Sequence, residues 1–452
     1  MEFEQAAEHA SELIYSLPEG ENIRIISHCD ADGIASAAIM AISLMRAGYN
    51  FHISIKKTGT KIADGIGDAR LAVFCDIGST NLEELNNLNC RVILCDHHMI
   101  KGELTNGINM NARAYGMDGS SEICGATATL ALSLAMDEKN IDMAQLAIAG
   151  AIGDKQDRGG FKGYNRKVLE DAVKKGYIEM KEETVFSQDM SMMDSLEECI
   201  EPYFSNFSGG GALKFLQDMG IDPFKKFSEL GENERKKLLS ALTLRLMEQG
   251  AENVSLIRIS PHGKNYGSLY DLSSKLNACA REGEEGVGIA ACLGDGGAMG
   301  KAGQLQSTYR EKIRREMREL EKEKVKELSS ISYFHTKNTA LGGVLAGLAM
   351  MYLPNFSKEK AVISVSTGEK KVDISGRGTE RLVKKGLDLS EGMYVAAAKV
   401  GGGGGGHPIA AGATIPPGRE EEFLRELDSV ISKKMKRGNE GDGKEGRSGG
   451  GE

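Results

Sequence analysis

Four short clusters of acids and imidazoles interrupt the apolar first third of this 452-residue chain. They are His28, Asp30 and Asp32 in "HCDADG", Asp76 in "FCDIGS", Asp96, His97 and His98 in "CDHH", and Asp154 and Asp157 in "AIGDKQD". The chain has only eight histidines, and three of them stand here. Carboxylates gathered this densely raise one another's pKa unless cations neutralise them. A donor set of Asp and His without thiolate suits Mn²⁺ or Mg²⁺, and the imidazoles favour Mn²⁺. His28, Asp30, Asp32, Asp76, His97 and Asp154 are more ligands than one ion uses. They suit two divalent cations about 3.5–4 Å apart sharing a carboxylate, a pair that activates water and clamps a phosphoryl group for in-line displacement.

Each cluster alone also has an ordinary reading as a polar turn. A calcium loop built on "DADG" is excluded, because that alignment puts Ile39 where a bidentate Glu is needed. "DGGAMGKAG" is not a phosphate-binding P-loop: its first glycine is missing and alanine follows the lysine. The eight cysteines form no C-x-x-C pair, which argues against a zinc site or a disulfide framework. Cys29, Cys75 and Cys95 each precede an aspartate and read as small core residues at strand ends.

The elements that must position these groups alternate. "NIRIIS" (22–27), "FHISI" (51–55), "LAVFCD" (71–76) and "RVILCD" (91–96) read as strands. "GIASAAIMAISLMRAG", "NLEELNNL", "GATATLALSLAMD" and "DMAQLAIAGAIGD" carry helical spacing. This alternation predicts a parallel sheet with helices on both faces, and sites in such sheets lie at the carboxyl ends of the strands. His28, Asp30 and Asp32 would project to one side of an extended segment, with Gly33 turning the chain into a helix. The four clusters thus belong to one sheet edge.

In that order, the four motifs resemble those of the DHH phosphoesterase superfamily, and "GGGGGGHPIAAGATI" resembles the signature of its DHH-associated domain. The likeness covers about residues 20–175 and 340–432. Within the superfamily the chain is similar to archaeal RecJ-like exonucleases, a group that includes a nuclease associated with the GINS replication complex; "SLYDLSSKLNACAREGEEGVGIAACLGD" adds to that likeness. The resemblance implies one metal on His28, Asp30 and Asp76 and another on Asp32, Asp76, His97 and Asp154, with Asp76 bridging. It implies that His98 touches the scissile phosphate and that Asp96 orients the neighbouring histidine. Asp157 reads equally well as a solvated helix-end residue.

The six-glycine run could be a linker, but small residues entering a strand-like segment follow it at once. Successive backbone N–H groups there can form an anion-binding nest, with Gly403, Gly404, Gly405, Gly406 and His407 beside it. Ser375, Arg377 and the residues Arg381, Lys384 and Lys385 of a basic helix expected over "TERLVKKGLDL" add donors for a phosphate; the family pattern singles out Arg377 and His407 as substrate binders. With no Trp and 6% aromatic residues, little base stacking is expected, so backbone contacts should dominate. The net charge of −9 neither marks nor excludes a nucleic-acid binder, because a local groove matters more than the total.

The expected architecture is α/β. Residues 1–190 form a parallel-sheet DHH domain with helices on both faces. Residues 191–330 form an inserted or connecting region, a possible docking surface for a GINS-like partner, in which 304–328 is a solvent-exposed, charge-paired helix. Residues 331–433 form a smaller α/β DHH-associated domain across a cleft, and 434–452 a disordered tail. No apolar run is long enough to span a bilayer. The acidic N-terminus "MEFEQAAEHASELIYSL" lacks the basic segment of a signal peptide, so a cytoplasmic location is expected. Together with the ligand set, the resemblance implies a two-metal exonuclease on single-stranded DNA or RNA in replication or repair. The alternatives are a phosphodiesterase for short oligoribonucleotides or dinucleotides, and a replisome scaffold.

Overall fold

The structure is a computed structural model; it describes residues 2–445 except 58, 59, 188 and 253, and the side chains through residue 436. By compactness the chain divides into two units, Met1–Glu183 with Ile259–Tyr309, and Thr184–Arg258 with Arg310–Glu452. The segment expected to connect two domains (191–330) is thus shared between the two units. Residues of 269–302 complete the first unit's core, where Leu269, Leu272, Leu276, Cys279, Ile289 and Ala302 are buried.

In the first unit five strands form one sheet: β1 (Asn22–His28), β2 (Asn50–Lys56), β3 (Leu71–Cys75), β4 (Arg91–Cys95) and β5 (Gly107–Asn109). Their order is β2-β1-β3-β4-β5, and every pairing is parallel. Alternation along β3 explains the layering. Leu71, Val73 and Cys75 point into one core, while Ala72 and Phe74 point into the other. A strand buried on both faces must be apolar throughout, as this one is. The first core lies under helices α1 (Phe3–Tyr15), α2 (Ala31–Arg46), α4 (Gly125–Met136), α5 (Ala144–Gly153) and α6 (Gly163–Lys174); the second lies under the short α3 (Leu82–Asn86). The strand order reverses between β1 and β3, which opens a crevice at their carboxyl ends. Ser27 spans that point, donating from its buried hydroxyl to the carbonyls of Gly33 at 2.7 Å and Cys75 at 3.0 Å.

The second unit holds a six-stranded mixed sheet. Its order is Gly403–His407, Ala410–Ile415, Val372–Arg377, Ala361–Thr367, Ile331–Thr336 and Lys326–Glu327. Only the 331–336 and 361–367 pair is parallel. One face is apolar, through Ile363, Val365, Ile374, Ala411 and Ala413, and is covered by helices Leu389–Lys399 and Glu420–Glu445.

Three expectations change here. The charged segment 304–328 is helical only to Lys322, and it is not solvent-exposed all round: the helix Gly296–Lys322 buries Ala302, Ile313, Met317 and Leu320 along one stripe. The expected basic helix over "TERLVKKGLDL" is one short turn, Glu380–Lys384, closed by Gly386 at φ +95°. The final helix continues past 434, because Met435 packs on the core and Lys434 pairs with Asp388 at 2.9 Å. Residues 446–452 of the expected tail lie outside the described residues.

Candidate metal centre

Asp76 follows β3 directly and adopts a left-handed φ of +59°, a conformation uncommon outside glycine. Its N–H donates to Cys95 O at 2.8 Å, which ties the ends of β3 and β4 together. The carboxylate is 1% exposed. His28, the last residue of β1, brings Nδ1 within 2.9 Å of Asp30 Oδ2 and 3.4 Å of Asp76 Oδ2. Asp30 is extended and caps α2 by accepting from Gly33 N. Asp32 lies in the first turn of that helix, so the three residues do not share one extended segment as expected. They reach the same place through the strand-to-helix turn. Gly33 serves close approach: a Cβ there would sit 2.3 Å from His28 O.

Asp32 is 1% exposed. It accepts from Gly125 N at 2.6 Å and Ala126 N at 3.0 Å, the free donors at the N-terminus of α4. From β4, His97 places Nε2 3.1 Å from Asp76 Oδ1, 3.2 Å from Asp154 Oδ2 and 3.8 Å from Asp32 Oδ2. Its Nδ1 faces the Gly119 carbonyl; with the Nδ1 proton held there, Nε2 is the atom available to ligate a cation. Asp154 caps the C-terminus of α5.

The ligand atoms form two groups, each within 4.8 Å: His28, Asp30 and Asp76, and Asp32, His97 and Asp154. A third such group joins Asp76 to Asp96, His97 and His98. Asp96 is fully buried and saturated. Oδ2 accepts from Ser79 N and Oγ, and Oδ1 from His97 N and from His98 Nδ1 at 2.7 Å. It therefore holds the half-exposed His98 ring. Asp157 stands apart from these groups and accepts from Tyr270 Oη at 2.6 Å.

The electrostatics describe a site that calls for cations. Burial and the charges of Asp76 and Asp154 push the Asp32 carboxyl well above the usual range. Burial likewise raises Asp154 against the opposing pull of His97. Burial would neutralise His97, but Asp154 and Asp76 outweigh it and hold the ring's pKa well above normal. For Asp96 the raising effect of burial is overcome by His98, leaving its pKa at about 2. Asp76 Oδ2 is buried without a hydrogen bond. An acceptor so placed, among carboxylates and imidazoles whose thiol neighbours Cys75 and Cys95 are pushed up by burial, fits divalent ions with oxygen and nitrogen ligands.

Some contributors carried no legible signal. A Cβ on Gly125 would lie 2.4 Å from Asp76 Cβ, and one on Gly150 2.5 Å from Asp32 Oδ1. Both glycines let helices α4 and α5 reach the carboxylates, and neither stands out in its motif. Ser79 and Gly119 act through groups common to any loop.

In the second unit the glycine run is an edge strand, not a nest. Gly403–His407 pairs in register with Ala410–Thr414. Helix Leu389–Lys399 explains part of the run: a Cβ on Gly404 would lie 2.6 Å from Met393 O, whereas Gly403 and Gly405 face open space. The register places Gly405, Gly412, Ser375 and Ser364 in one row, and His407, Ala410 and Arg377 in the next. Ser375 and Arg377 are half-buried, and His407 is exposed. Arg377 lies against the N-terminal turn of helix Gly342–Tyr352, where a Cβ on Gly343 would meet its Nη2 at 2.6 Å. Arg381 and Lys385 are instead engaged with Glu359.

Comparison with known proteins finds one family model within each unit. Residues 22–152 match the DHH family, N-terminal domain, and residues 330–433 match the DHHA1 domain. An uncharacterized protein of Methanocaldococcus jannaschii is 33% identical over 427 residues, covering 92% of this chain and 94% of its own. RecJ from Thermus thermophilus in complex with Mn²⁺ superposes with a TM-score of 0.59 at 18% identity, covering 95% of this chain; this chain spans only 55% of its length. CDC45 from Entamoeba histolytica gives a TM-score of 0.64 at 14% identity, covering 95% of this chain and 98% of its own. At these identities the solved structures speak for the fold.

Proposed function

The chain belongs to the DHH family, with a RecJ-like fold and the hydrolase character of that phosphoesterase superfamily, and from that premise we propose that it is a two-metal exonuclease acting on single-stranded DNA or RNA. One observation carries the reading: five separate elements deliver Asp and His ligand atoms into two adjoining groups that meet at Asp76 and His97.

In this reading His28, Asp30 and Asp76 hold one ion, and Asp32, Asp76, His97 and Asp154 hold the other. Mn²⁺ is the favoured ion and Mg²⁺ the second choice. When bound, the pair supplies Lewis acidity and an activated water. Hydrolysis forms a bond from water oxygen to phosphorus and breaks the P–O bond to the leaving sugar oxygen, which takes a proton. His98 stabilises the charge that develops on the phosphoryl oxygens, its Nδ1 anchored on Asp96 so that Nε2 is the atom offered. Ser375, Arg377, His407 and the backbone of Gly403, Gly404, Gly405 and Gly406 bind the phosphates of the strand. Contacts of that kind make affinity fall with salt and carry little sequence information. We assign catalysis to 1–190, whose core is completed by residues of 269–302, substrate binding to 331–433, and docking of a GINS-like replication complex to the exposed surface that 191–330 retains. Co-purification with such a complex tests the last point.

The test of the activity is digestion of end-labelled single strands of DNA and RNA, from dinucleotides to long chains, with Mn²⁺ or Mg²⁺ and products sized. Stepwise shortening of long strands is expected. A sharp drop beyond a few nucleotides would replace this reading with that of an oligonucleotide phosphodiesterase, and no cleavage at any length would leave the scaffold role.

A further inference from the structure

Behind the metal groups lies a chain of uncharged, fully buried side chains that hydrolysis does not use. Gln156, Asn165 and Thr127 are 4%, 0% and 0% exposed. Thr127 Oγ1 donates to Asn165 Oδ1 at 2.7 Å, and Asn165 Nδ2 donates to Gln156 Oε1 at 2.6 Å. Gln156 Nε2 then donates to two backbone carbonyls, Gly119 O at 3.1 Å and Ile123 O at 3.2 Å. Gly119 O is also the atom that faces His97 Nδ1.

Both ends of this chain reach ligands. At one end the Gly119 carbonyl receives two donors, His97 and Gln156, so the amide fixes the acceptor that fixes the imidazole. The approach is tight: a Cβ on Gly119 would sit 2.0 Å from His97 O, and Arg113 Nε donates to that same His97 carbonyl at 2.9 Å. At the other end Thr127 accepts from Cys124 N at 2.9 Å and so shapes the first turn of α4, whose next two N–H groups, of Gly125 and Ala126, hold Asp32. Gln156 itself is two residues beyond Asp154, in the turn closed by Gln156 N to Ala151 O at 2.9 Å. The backbone of Asn165 adds a further clamp on the 119–123 segment, donating to Glu122 O at 2.8 Å.

Every member of the Asp32, His97 and Asp154 group is therefore attached to one relay, while His28 and Asp30 are not. We infer that Gln156, Asn165 and Thr127 are positioning residues for the ion held by Asp32, His97 and Asp154, and that they tune its affinity without touching ion or substrate. Partners of this kind orient a ligating imidazole and set its basicity, and their loss commonly weakens metal binding about 10–100-fold. This inference rests on the two-metal reading above.

The test is a Mn²⁺ titration of the full-length protein, followed by calorimetry and by the electron paramagnetic resonance signal of a coupled Mn²⁺ pair. Wild type is expected to bind two ions. Gln156→Met, which keeps the bulk and removes both donors, should bind one ion as tightly as wild type and the other about 10–100-fold more weakly, with the coupled signal lost at low Mn²⁺. Equal affinities in variant and wild type, or equal weakening at both sites, would overturn the inference and leave the relay as packing alone. A wild type that takes up no Mn²⁺ overturns the metal reading itself, and this inference with it. Should Gln156→Met fail to fold, Thr127→Val removes the far end of the relay. It should weaken the same single ion by a smaller factor, and two unaltered affinities would sink the inference equally well.

Discussion

Under the proposed function the two units would meet phosphate in opposite ways. In the first, charge is concentrated and dry: Asp32, Asp76 and Asp96 are at most 1% exposed, and strand ends and helix termini hold them rigidly. In the second, the residues proposed to bind substrate are exposed or half-buried, and the Gly403–Gly406 edge offers only backbone. Burial makes the first unit intolerant of change, because a carboxylate at 1% exposure has no solvent to fall back on. Openness makes the second graded, because each phosphate contact adds a separable increment. A reacting phosphorus needs fixed electrostatics, whereas a sliding polymer needs contacts that repeat.

Removing the shared carboxylate tests that contrast most severely. Asp76→Ala should lower cleavage by about 10³-fold or more while circular dichroism shows a folded protein. Retained Mn²⁺-dependent activity would contradict the bridging role. In the second unit Arg377→Ala should act mainly on KM, weakening binding across all sequences and reducing the salt slope by about one phosphate contact; a collapse of kcat at saturating strand would place Arg377 with the chemistry instead.

Within the glycine strand the comparison can be made residue against residue. Gly404→Ala forces a Cβ to 2.6 Å from Met393 O and should lower stability by about 1–3 kcal/mol, read as a shift in urea midpoint. Gly405→Ala meets nothing and should leave stability unchanged or raise it by about 0.5–1 kcal/mol, yet weaken strand binding. Equal binding by Gly405→Ala and wild type would remove the bare-backbone role from this edge.

Legibility followed the same divide. The first unit's strands were readable because two-sided burial leaves a continuous apolar run, and its candidate ligands were readable because acids and histidines seldom end such runs together. Its supports were not: Gly125 and Gly150 matter through what a methyl group would strike, and Gln156 through a carbonyl it shares with His97. In the second unit the glycine run was ambiguous between linker, nest and strand. Pairing with 410–415 made it a strand, and helix Leu389–Lys399 decided which glycines packing requires. The helix Gly296–Lys322 misled for a related reason, since a charge-rich composition hid the stripe of Ala302, Ile313, Met317 and Leu320 that it buries.

By itself, the order of residues determined the parallel α/β core, the identity of the candidate ligands and their place at strand ends, because periodicity and residue chemistry are local properties. The grouping of the ligands and the part of Asp96 were implied by the family resemblance; only the tertiary structure decided that Asp157 stands with Tyr270, that the Gly119 carbonyl joins His97 to Gln156, and that residues 269–302 complete the first core. Those outcomes depend on distances of a few ångströms between segments far apart in the chain, and no local pattern encodes them.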